Sequence, residues 1–382
     1  FFANNAIGFL NILGFELDPI FLKIILPLGI SFYTFQTISY SVDVYRGFIK
    51  PEKNFVLYAS YVTFFPQLVA GPVLRASEII HQLSERSNFS IKVFFEGIKR
   101  IIFGLFLKVV LADNISPFVD SGFSMSANDF SALDVLTLSF LFGFQIYFDF
   151  SAYSHIAIGC ALLMGIKFPE NFNFPYLSSS PKDFWKRWHI SLSSWIRDYL
   201  YLPLTGTKVV NKSTGGIIAS SSKNTNGALF ASWAIMGLWH GANWTFVVWG
   251  LYHAIFIYIH RKIVSSRNSM LKNRYLVYFG SIITLPIMML GWIPFRADSL
   301  NDTFLMWSKL LFLQNYTFLS MRENIYLVTS LILIGMYLTY FSKHIPKFFQ
   351  ASILIKSLTY SIMIVLIFIF LRPINQFIYF QF

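Results

Sequence analysis

Charged residues are scarce in this 382-residue chain, and their scarcity excludes most soluble classes of protein. Asp, Glu, Lys and Arg together make up 13% of the residues, against roughly 25% in soluble domains. Hydrophobic residues make up 55%, aromatic residues 19%, and the mean hydropathy is +0.57. A disordered chain or a coiled coil would carry far more charge. The composition therefore predicts a polytopic, all-α membrane protein.

Cysteine and the common cofactor motifs are also missing. Cys160 is the only cysteine, which excludes an intrachain disulfide and any cysteine-based zinc site. The sequence has no P-loop, no glycine-rich dinucleotide fingerprint and no GxSxG elbow, which argues against ATPases, dehydrogenases and serine hydrolases. We expect no bound metal or cofactor. The chain opens with Phe-Phe-Ala-Asn-Asn and no signal-peptide pattern, so we expect that a native N-terminal part precedes it.

The net charge of +12 does not indicate nucleic-acid binding, because the Lys and Arg residues lie between long apolar runs rather than on one exposed face. Such an excess is typical of the cytoplasmic loops of membrane proteins. The acidic segment 113–134 and the balanced segment 296–325 are expected on the outer side. The basic segments expected in the cytoplasm are 46–53, 167–223, 261–274 and 343–356.

Apolar runs that can cross about 30 Å of hydrocarbon predict the membrane spans. Residues 133–166 are too many for one perpendicular span, which predicts either a strong tilt or a break, with 145–155 as the place to break. Residues 54–74, interrupted by Pro66 and Pro72, are expected to form a kinked or re-entrant segment. The remaining spans are predicted at 20–42, 98–112 with its flanks, 276–295, 326–342 and 355–371.

The run 227–260 has basic flanks at both ends, which a single crossing cannot satisfy. A broken helix pair that turns back at residues 241–243 satisfies them, and irregular backbone at membrane depth is stable only in a cavity wall or inside protein. This predicts His240 at the inner end of a protein-lined pocket. Two interpretations fit His240: a structural histidine bonded to a backbone carbonyl, or a general base, since histidine titrates near neutrality. Asn243 is a candidate for binding the substrate or orienting the ring.

The segment 183–204 carries Trp, Leu and Tyr at steps of three and four residues, with Lys186, Arg187 and Arg197 off that stripe. The pattern predicts an amphipathic helix at the cytoplasmic interface, begun by a Ser180 cap. Two interpretations fit this segment. It is either an anchor whose basic residues contact lipid phosphates or a port for a phosphate-bearing substrate, which Arg binds bidentately.

Asp149 and His155 are ionisable residues inside an apolar run, where the bilayer penalises charge. They are six residues apart and therefore lie on different faces of one helix, which argues against a direct ion pair. For Asp149 we favour a buried structural role as an acceptor for Tyr, Trp or Arg donors over a role in proton transfer.

Six segments, in order along the chain, resemble the membrane-bound O-acyltransferase (MBOAT) family, specifically its alginate O-acetyltransferase branch. They are 26–47, 64–75, 145–180, 183–204, 237–253 and 377–382. The resemblance implies one membrane-embedded domain over residues 1–382, with re-entrant and interfacial helices around a central pocket. Chains of this family usually begin with additional membrane helices.

The resemblance also implies an activity. Proteins of this branch are multi-pass proteins of the bacterial inner membrane. They pass an acetyl group from a cytoplasmic donor, acetyl-CoA, toward an exported polysaccharide, together with a periplasmic acetyltransferase partner. The signature catalytic histidine of the family corresponds to His240, and a second functional histidine corresponds to His189. The candidates for donor binding or support are Asn243, Lys186, Arg187, Arg197, Asp198 and Asp149.

The sequence departs from the family pattern at three positions. Ala152 and His155 stand where the family often has Gly and Asp, and Thr205 stands where Gly is usual. Both signature histidines remain, so the departures leave the activity in place and the acceptor glycan open. Two other functions fit the same residues: D-alanyl transfer to teichoic acid from a carrier protein, or a proton-coupled transporter with a relay through His240, His189 and Asp149.

Overall fold

The computed structural model describes residues 5, 7, 29–85, 89–207, 224–266, 274–342, 353–373 and 377. Over these residues the protein is helical and contains no β-strand. Two π-helical turns (Phe106–Ala112 and Ile196–Tyr201) and two 3₁₀ turns (Pro175–Leu177 and Leu313–Tyr316) accompany the α-helices. The helices are α1 (Ile30–Tyr45), α2 (Phe55–Val62), α3 (Phe65–Leu68), α4 (Ala76–Ser84), α5 (Ile91–Leu105), α6 (Asp113–Phe123), α7 (Ala132–Leu163), α8 (Pro181–Phe184), α9 (Ile190–Trp195), α10 (Leu202–Leu204), α11 (Thr225–His240), α12 (Trp244–Ser266), α13 (Arg274–Leu290), α14 (Ile293–Arg296), α15 (Leu300–Lys309), α16 (Glu323–Ser342) and α17 (Ile353–Phe370).

Among the described residues, two helices are long and apolar enough to cross a membrane. One is the continuous helix Ile91–Phe123, which includes α5, a π-helical turn and α6, and the other is α7. With 32 residues, α7 is about 48 Å long at 1.5 Å per residue, well beyond the hydrocarbon thickness. It continues without interruption through 145–155, so the break considered there is absent and a tilt is the alternative that fits.

Small residues bring these two helices together. A Cβ atom on Gly97 would lie 2.9 Å from the carbonyl oxygen of Gly159, and one on Gly104 would lie 2.8 Å from that of Ala152. Backbones can approach this closely only where side chains are absent or small, which is the usual basis of helix association inside a membrane. The alanine at position 152 is small enough to preserve the contact.

The other predicted spans are shorter in the structure. Shorter apolar helical stretches occur at Gly280–Arg296, Glu323–Leu338 and Leu354–Phe370. The span predicted at 20–42 lies partly outside the described residues, and its described part is α1. The segment 54–74 contains two short helices, α2 and α3, with Pro66 in the first turn of α3.

The prediction of one amphipathic helix over 183–204 is wrong. The structure divides the segment into α8, a turn, α9, a π-helical turn and α10. His189 separates α8 from α9, because its φ of 41° is incompatible with a right-handed helix. The predicted apolar stripe is buried in the protein core, where Trp185, Trp188 and Leu192 are each less than 10% exposed. The cap is confirmed, since the Ser180 hydroxyl accepts the Asp183 N–H at 3.1 Å.

Helices α11 and α12 form an antiparallel hairpin joined by residues 241–243. A Cβ atom on Gly237 would lie 2.2 Å from the carbonyl oxygen of Phe246, and one on Gly250 would lie 2.2 Å from that of Trp233. The two backbones are therefore in direct contact, which fixes the position of His240 at the end of α11.

The two ends of α7 gather different sets of loops. Near its N-terminus, the Ser320 N–H donates to the Asp134 carboxylate at 3.2 Å. Next to that contact, Arg296 pairs with Asp120 at 3.1 Å. Just beyond the C-terminus of α7, the Lys167 N–H donates to the Gln82 side chain at 2.9 Å. The segments predicted to lie outside thus meet near one end of α7, and Lys167, which begins a segment predicted to lie in the cytoplasm, lies at the other end.

Candidate functional site

His240 is the last residue of α11, and the helix itself sets its tautomer. Its Nδ1 lies 2.7 Å from the carbonyl oxygen of Met236, one turn earlier. A carbonyl oxygen only accepts, so Nδ1 carries the hydrogen and donates it. In the neutral ring the lone pair is therefore on Nε2. This is the atom that a general base uses.

Aromatic rings hold the half-buried imidazole of His240 in place. The rings of Trp239 and Trp249 lie edge-on to it, each with centroids 4.7 Å away, and Phe295 lies at 5.4 Å. A Cβ atom on Gly241 would lie 2.1 Å from the Phe246 ring, so a side chain at this position would displace that wall. The glycine after the histidine is thus required by packing.

His189 is almost completely buried, at 2% exposure. Its Nδ1 lies 3.1 Å from the side-chain oxygen of Asn171, and the ring of Phe150 packs edge-on with centroids 4.6 Å apart. Its Nε2 is buried and has no hydrogen-bond partner among the residues that the structure describes. Burial, with a smaller contribution from His240, holds the pKa of His189 well below the ordinary histidine value.

A cluster of arginines surrounds Asp198 on the segment predicted to face the cytoplasm. Its carboxylate accepts hydrogen bonds from Arg75 and Arg197, both at 2.6 Å, and its carbonyl oxygen lies 3.5 Å from Arg46. Burial alone would raise the pKa of Asp198, but the hydrogen bonds and charges of Arg197 and Arg75 outweigh it and lower that pKa. The guanidinium groups of Arg46 and Arg75 lie over the Tyr199 ring, 5.7 and 5.2 Å from its centroid. Sequence analysis did not single out Arg46 or Arg75, whose contacts arise only from tertiary packing.

The other basic candidates are less constrained. Lys186 is exposed, and Arg187 pairs with Asp183 one helical turn earlier, at 3.0 Å. Asn243 is also exposed, and its side-chain oxygen accepts the Thr245 N–H at 3.2 Å. The structure therefore uses Asn243 to begin α12.

Asp149 is buried, and its carboxylate accepts from the Lys108 ammonium at 2.7 Å, a lysine rather than one of the Tyr, Trp or Arg donors expected. Sequence analysis did not single out Lys108, which lies within a predicted span. His155 is not part of this group, because its Nδ1 lies 2.9 Å from Arg100, which also binds Glu170. The structure thus separates Asp149 and His155, as their spacing predicted.

Comparison with known proteins places the chain among membrane acyltransferases. The sequence model of the MBOAT, membrane-bound O-acyltransferase, family matches residues 49–295. A protein from Azotobacter vinelandii named probable alginate O-acetylase is 38% identical over 321 residues, which are 83% of this chain and 60% of the relative. The peptidoglycan O-acetyltransferase of Helicobacter pylori is 36% identical over 74% of this chain and 56% of its own length.

A more distant relative is the teichoic acid D-alanyltransferase of Streptococcus thermophilus, which is 28% identical over 72% of this chain and 69% of its own length. The chain spans about 60% of the length of the alginate-related protein from Azotobacter vinelandii. The matched residues 49–295 include His189 and His240.

Proposed function

Because this chain belongs to the membrane-bound O-acyltransferase family, we propose that it is an O-acyltransferase of the bacterial inner membrane. It passes an acetyl group from a cytoplasmic thioester, acetyl-CoA, toward a hydroxyl of an exported polysaccharide or a periplasmic acetyltransferase partner. The observation that supports this most directly is the pair of buried or half-buried imidazoles, His189 and His240, each with Nδ1 against a fixed carbonyl oxygen. In each neutral ring the lone pair is then on Nε2.

In the proposed reaction, His240 is the general base. Its Nε2 takes the proton of the acceptor hydroxyl while that oxygen attacks the thioester carbonyl. The tetrahedral intermediate collapses, the carbon–sulfur bond breaks, and the thiolate receives the proton through His240 or His189. No net proton is released, and the products are the ester and the thiol. A general base in this position contributes about 10²- to 10⁴-fold to the rate.

The donor side of the proposal rests on the arginine cluster at Asp198. Arg75 and Arg197 pair with Asp198, Arg46 approaches its carbonyl oxygen, and the carboxylate of Asp43 joins the group through the Tyr199 hydroxyl. Guanidinium groups bind phosphate bidentately. We assign this cluster, with exposed Lys186 and with Arg187, to the phosphates of coenzyme A.

The test is acetyl transfer by purified protein with radiolabelled acetyl-CoA. We expect His240→Ala to lose at least about 10² in rate while it remains monodisperse in detergent. His81→Ala is the matched control, because His81 is exposed on α4. Normal transfer by His240→Ala would overturn the base assignment. A wild-type protein that leaves every thioester intact would favour a transporter instead.

D-alanyl transfer is a second candidate, favoured by the similarity to the Streptococcus thermophilus relative. The two candidates differ in the acyl donor, since the D-alanyl group is delivered by a carrier protein. Transfer from D-alanyl carrier protein, with no consumption of acetyl-CoA, would establish the second candidate over the first.

A further inference from the structure

We propose that Asn171 is the positioning residue of His189: it fixes the ring so that Nδ1 carries the hydrogen and Nε2 faces the reacting groups. The catalytic effect expected of Asn171 rests on the proposed acyltransferase function. The hydrogen-bond geometry does not depend on that function. Asn171 is fully buried, at 0% exposure, and lies 18 residues before His189 in a segment to which no role is yet attached.

The hydrogen bonds around Asn171 identify which end of its amide meets the histidine. The backbone N–H of Ser191 lies 3.3 Å from the Asn171 oxygen, and the Ser191 hydroxyl lies 2.9 Å from it. An N–H group can donate only to the oxygen of an amide, so the oxygen faces this side. The amide nitrogen then donates to the Ser154 hydroxyl at 3.1 Å. The imidazole Nδ1, 3.1 Å from that same oxygen, must be a donor.

The Ser191 hydroxyl supports this assignment from a third segment. It accepts the backbone N–H of Val73 at 2.9 Å, which leaves its single hydrogen for the Asn171 oxygen. The alternative bond from Ser191 to His189 Nδ1 is longer, at 3.5 Å. When Nδ1 of His189 carries a hydrogen, each of the groups that face the Asn171 side-chain oxygen is therefore a hydrogen-bond donor to it.

The main chain holds Asn171 and His189 at a fixed separation. The carbonyl oxygen of Asn171 accepts the Ile190 N–H, and the Asn173 N–H donates to the carbonyl of Arg187, both at 2.9 Å. His189 adopts a left-handed conformation, with φ 41° and ψ 58°, which a non-glycine residue adopts only when its surroundings impose it. These bonds on both sides of His189 are what impose it here.

This arrangement leaves Nε2 of His189 as a hydrogen-bond acceptor. Nε2 is buried without a partner among the described residues, and an unmatched buried acceptor is unfavourable unless a ligand supplies the donor. The hydrogen of a thiol or a hydroxyl is such a donor. The hydrogen bonds around Asn171 thus join three segments that resemble the family: 64–75 through Val73, 145–180 through Asn171 itself and 183–204 through Ser191. Together these segments position one ring nitrogen of His189.

The first experiment measures the tautomer directly. Protein labelled with ¹⁵N-histidine is reconstituted in nanodiscs, and the His189 signals are assigned by their loss in His189→Gln. In the wild type we expect a protonated Nδ1 and an unprotonated Nε2. In Asn171→Leu we expect the hydrogen to move to Nε2, because the acceptor for Nδ1 is gone. An unchanged His189 tautomer in Asn171→Leu overturns the proposal, whatever the activity of that variant.

The second experiment separates positioning from folding. Asn171→Leu should lower kcat by about 10²-fold with the KM for acetyl-CoA within twofold of wild type. Asn171→Asp keeps the acceptor oxygen and should recover most of kcat. Its carboxylate favours the imidazolium, so the acid limb of its pH–rate profile should move to higher pH. His240 lowers the pKa of His189 in wild type and in Asn171→Asp alike. The difference between the two pH–rate profiles therefore measures the effect of the new carboxylate.

The matched control is Asn315→Leu, which also removes an asparagine whose amide donates to a backbone carbonyl, that of Lys309 at 2.9 Å. We expect this control to keep both the tautomer and kcat. If Asn171→Leu fails to fold, an Asn171→Asp protein with wild-type kcat and an unshifted acid limb overturns the proposal. A wild type without acetyl transfer contradicts the proposed function, while the tautomer measurement still decides the role of Asn171.

Discussion

Lys108 is the most deeply buried lysine or arginine among those that the structure describes, at 3% exposure. Its ammonium group lies 2.7 Å from Asp149 and 2.9 Å from Asp113, and it lies 4.6 Å from the centroid of the Phe377 ring. A charge at this depth is tolerated only when it is paired. The cluster therefore ties the two long helices and residue 377 together.

Lys108→Met leaves two carboxylates without their cation. We expect it to destabilise the protein by about 3–5 kcal/mol, the range for breaking a buried ion pair by removing one partner. Lys108→Met combined with Asp149→Leu removes the nearer stranded charge and should recover part of that loss. Thermal unfolding in detergent measures both variants, and equal melting temperatures for all three proteins would contradict the structural role of this pair.

Asp198 provides a prediction about pH. Its pKa is lowered in the folded protein, so the stabilisation it supplies is present above the unfolded-state pKa of about 3.9 and is lost as the pH falls through the lower folded-state value. Wild type should therefore unfold at a higher temperature than Asp198→Asn near neutral pH, and the difference should shrink in strong acid. A difference that grows on acidification would show that the sign is wrong.

Sequence reasoning singled out His189 and His240 as candidates and correctly predicted the Ser180 cap, because each depends on local pattern or on family resemblance. It missed Asn171 and the Lys108 pairing with Asp149, because these contacts connect residues 18 and 41 positions apart. No periodicity or propensity of one segment carries that information. Lys108 alone offered a signal, as a lysine inside an apolar run.

At the scale of elements, the hairpin of α11 and α12 is the part that places His240. Its two crossing points depend on Gly237 and Gly250, where a Cβ atom would meet backbone rather than a movable side chain. The backbone of the facing helix cannot move away from such a Cβ atom unless the two helices separate. The break at 241–243 and the glycines that close the hairpin thus act together.

Gly237→Ala should separate the helices locally, lower the melting temperature and reduce acetyl transfer, because it moves the end of α11. Gly335→Ala is the matched control, since a Cβ atom there meets none of the described residues within 4 Å. Alanine in an open helical position is favoured over glycine by about 0.5–1 kcal/mol. Thermal unfolding and initial rates of both variants test this, and a Gly237→Ala protein as stable and active as Gly335→Ala would refute it.

The elements also show where pattern fails. In 183–204 the spacing of Trp and Leu is helical, yet the left-handed His189 interrupts it, because bonds to Asn171 outweigh local propensity. In α7 the polar run 145–155 favoured a break, yet the helix continues, because packing partners for its polar side chains lie on neighbouring segments. Asp149, for example, is matched by Lys108.

At the scale of the whole molecule, loop contacts occur at both ends of α7. Asp120, Asp134, Arg296 and Ser320 meet at one end, and Gln82 and Lys167 meet at the other. The membrane orientation itself stays a prediction from the distribution of Lys and Arg. One labelled position at each end of α7 is therefore enough to determine the membrane orientation.

Asp129 and Glu85 are exposed residues near the two ends. In a Cys160→Ser background, a membrane-impermeant maleimide should label Asp129→Cys in intact spheroplasts and Glu85→Cys only after lysis. Because Cys160 is the only cysteine in these 382 residues, the Cys160→Ser background removes the one thiol of this chain. Labelling of Glu85→Cys alone in intact spheroplasts would invert the orientation and place the arginine cluster on the wrong side for acetyl-CoA.

The π-helical turn at Phe106–Ala112 has a consequence for register. Lys108 and Asp113 are five residues apart, and in a regular α-helix they would point about 140° away from each other. In the π-helix the Asp113 N–H bonds to the Lys108 carbonyl, so both side chains return to one azimuth and can pair. Deleting one residue between them would give a spacing of four, about 40° apart in a regular α-helix and still on one face, so a related chain could lack one residue here and keep the ion pair.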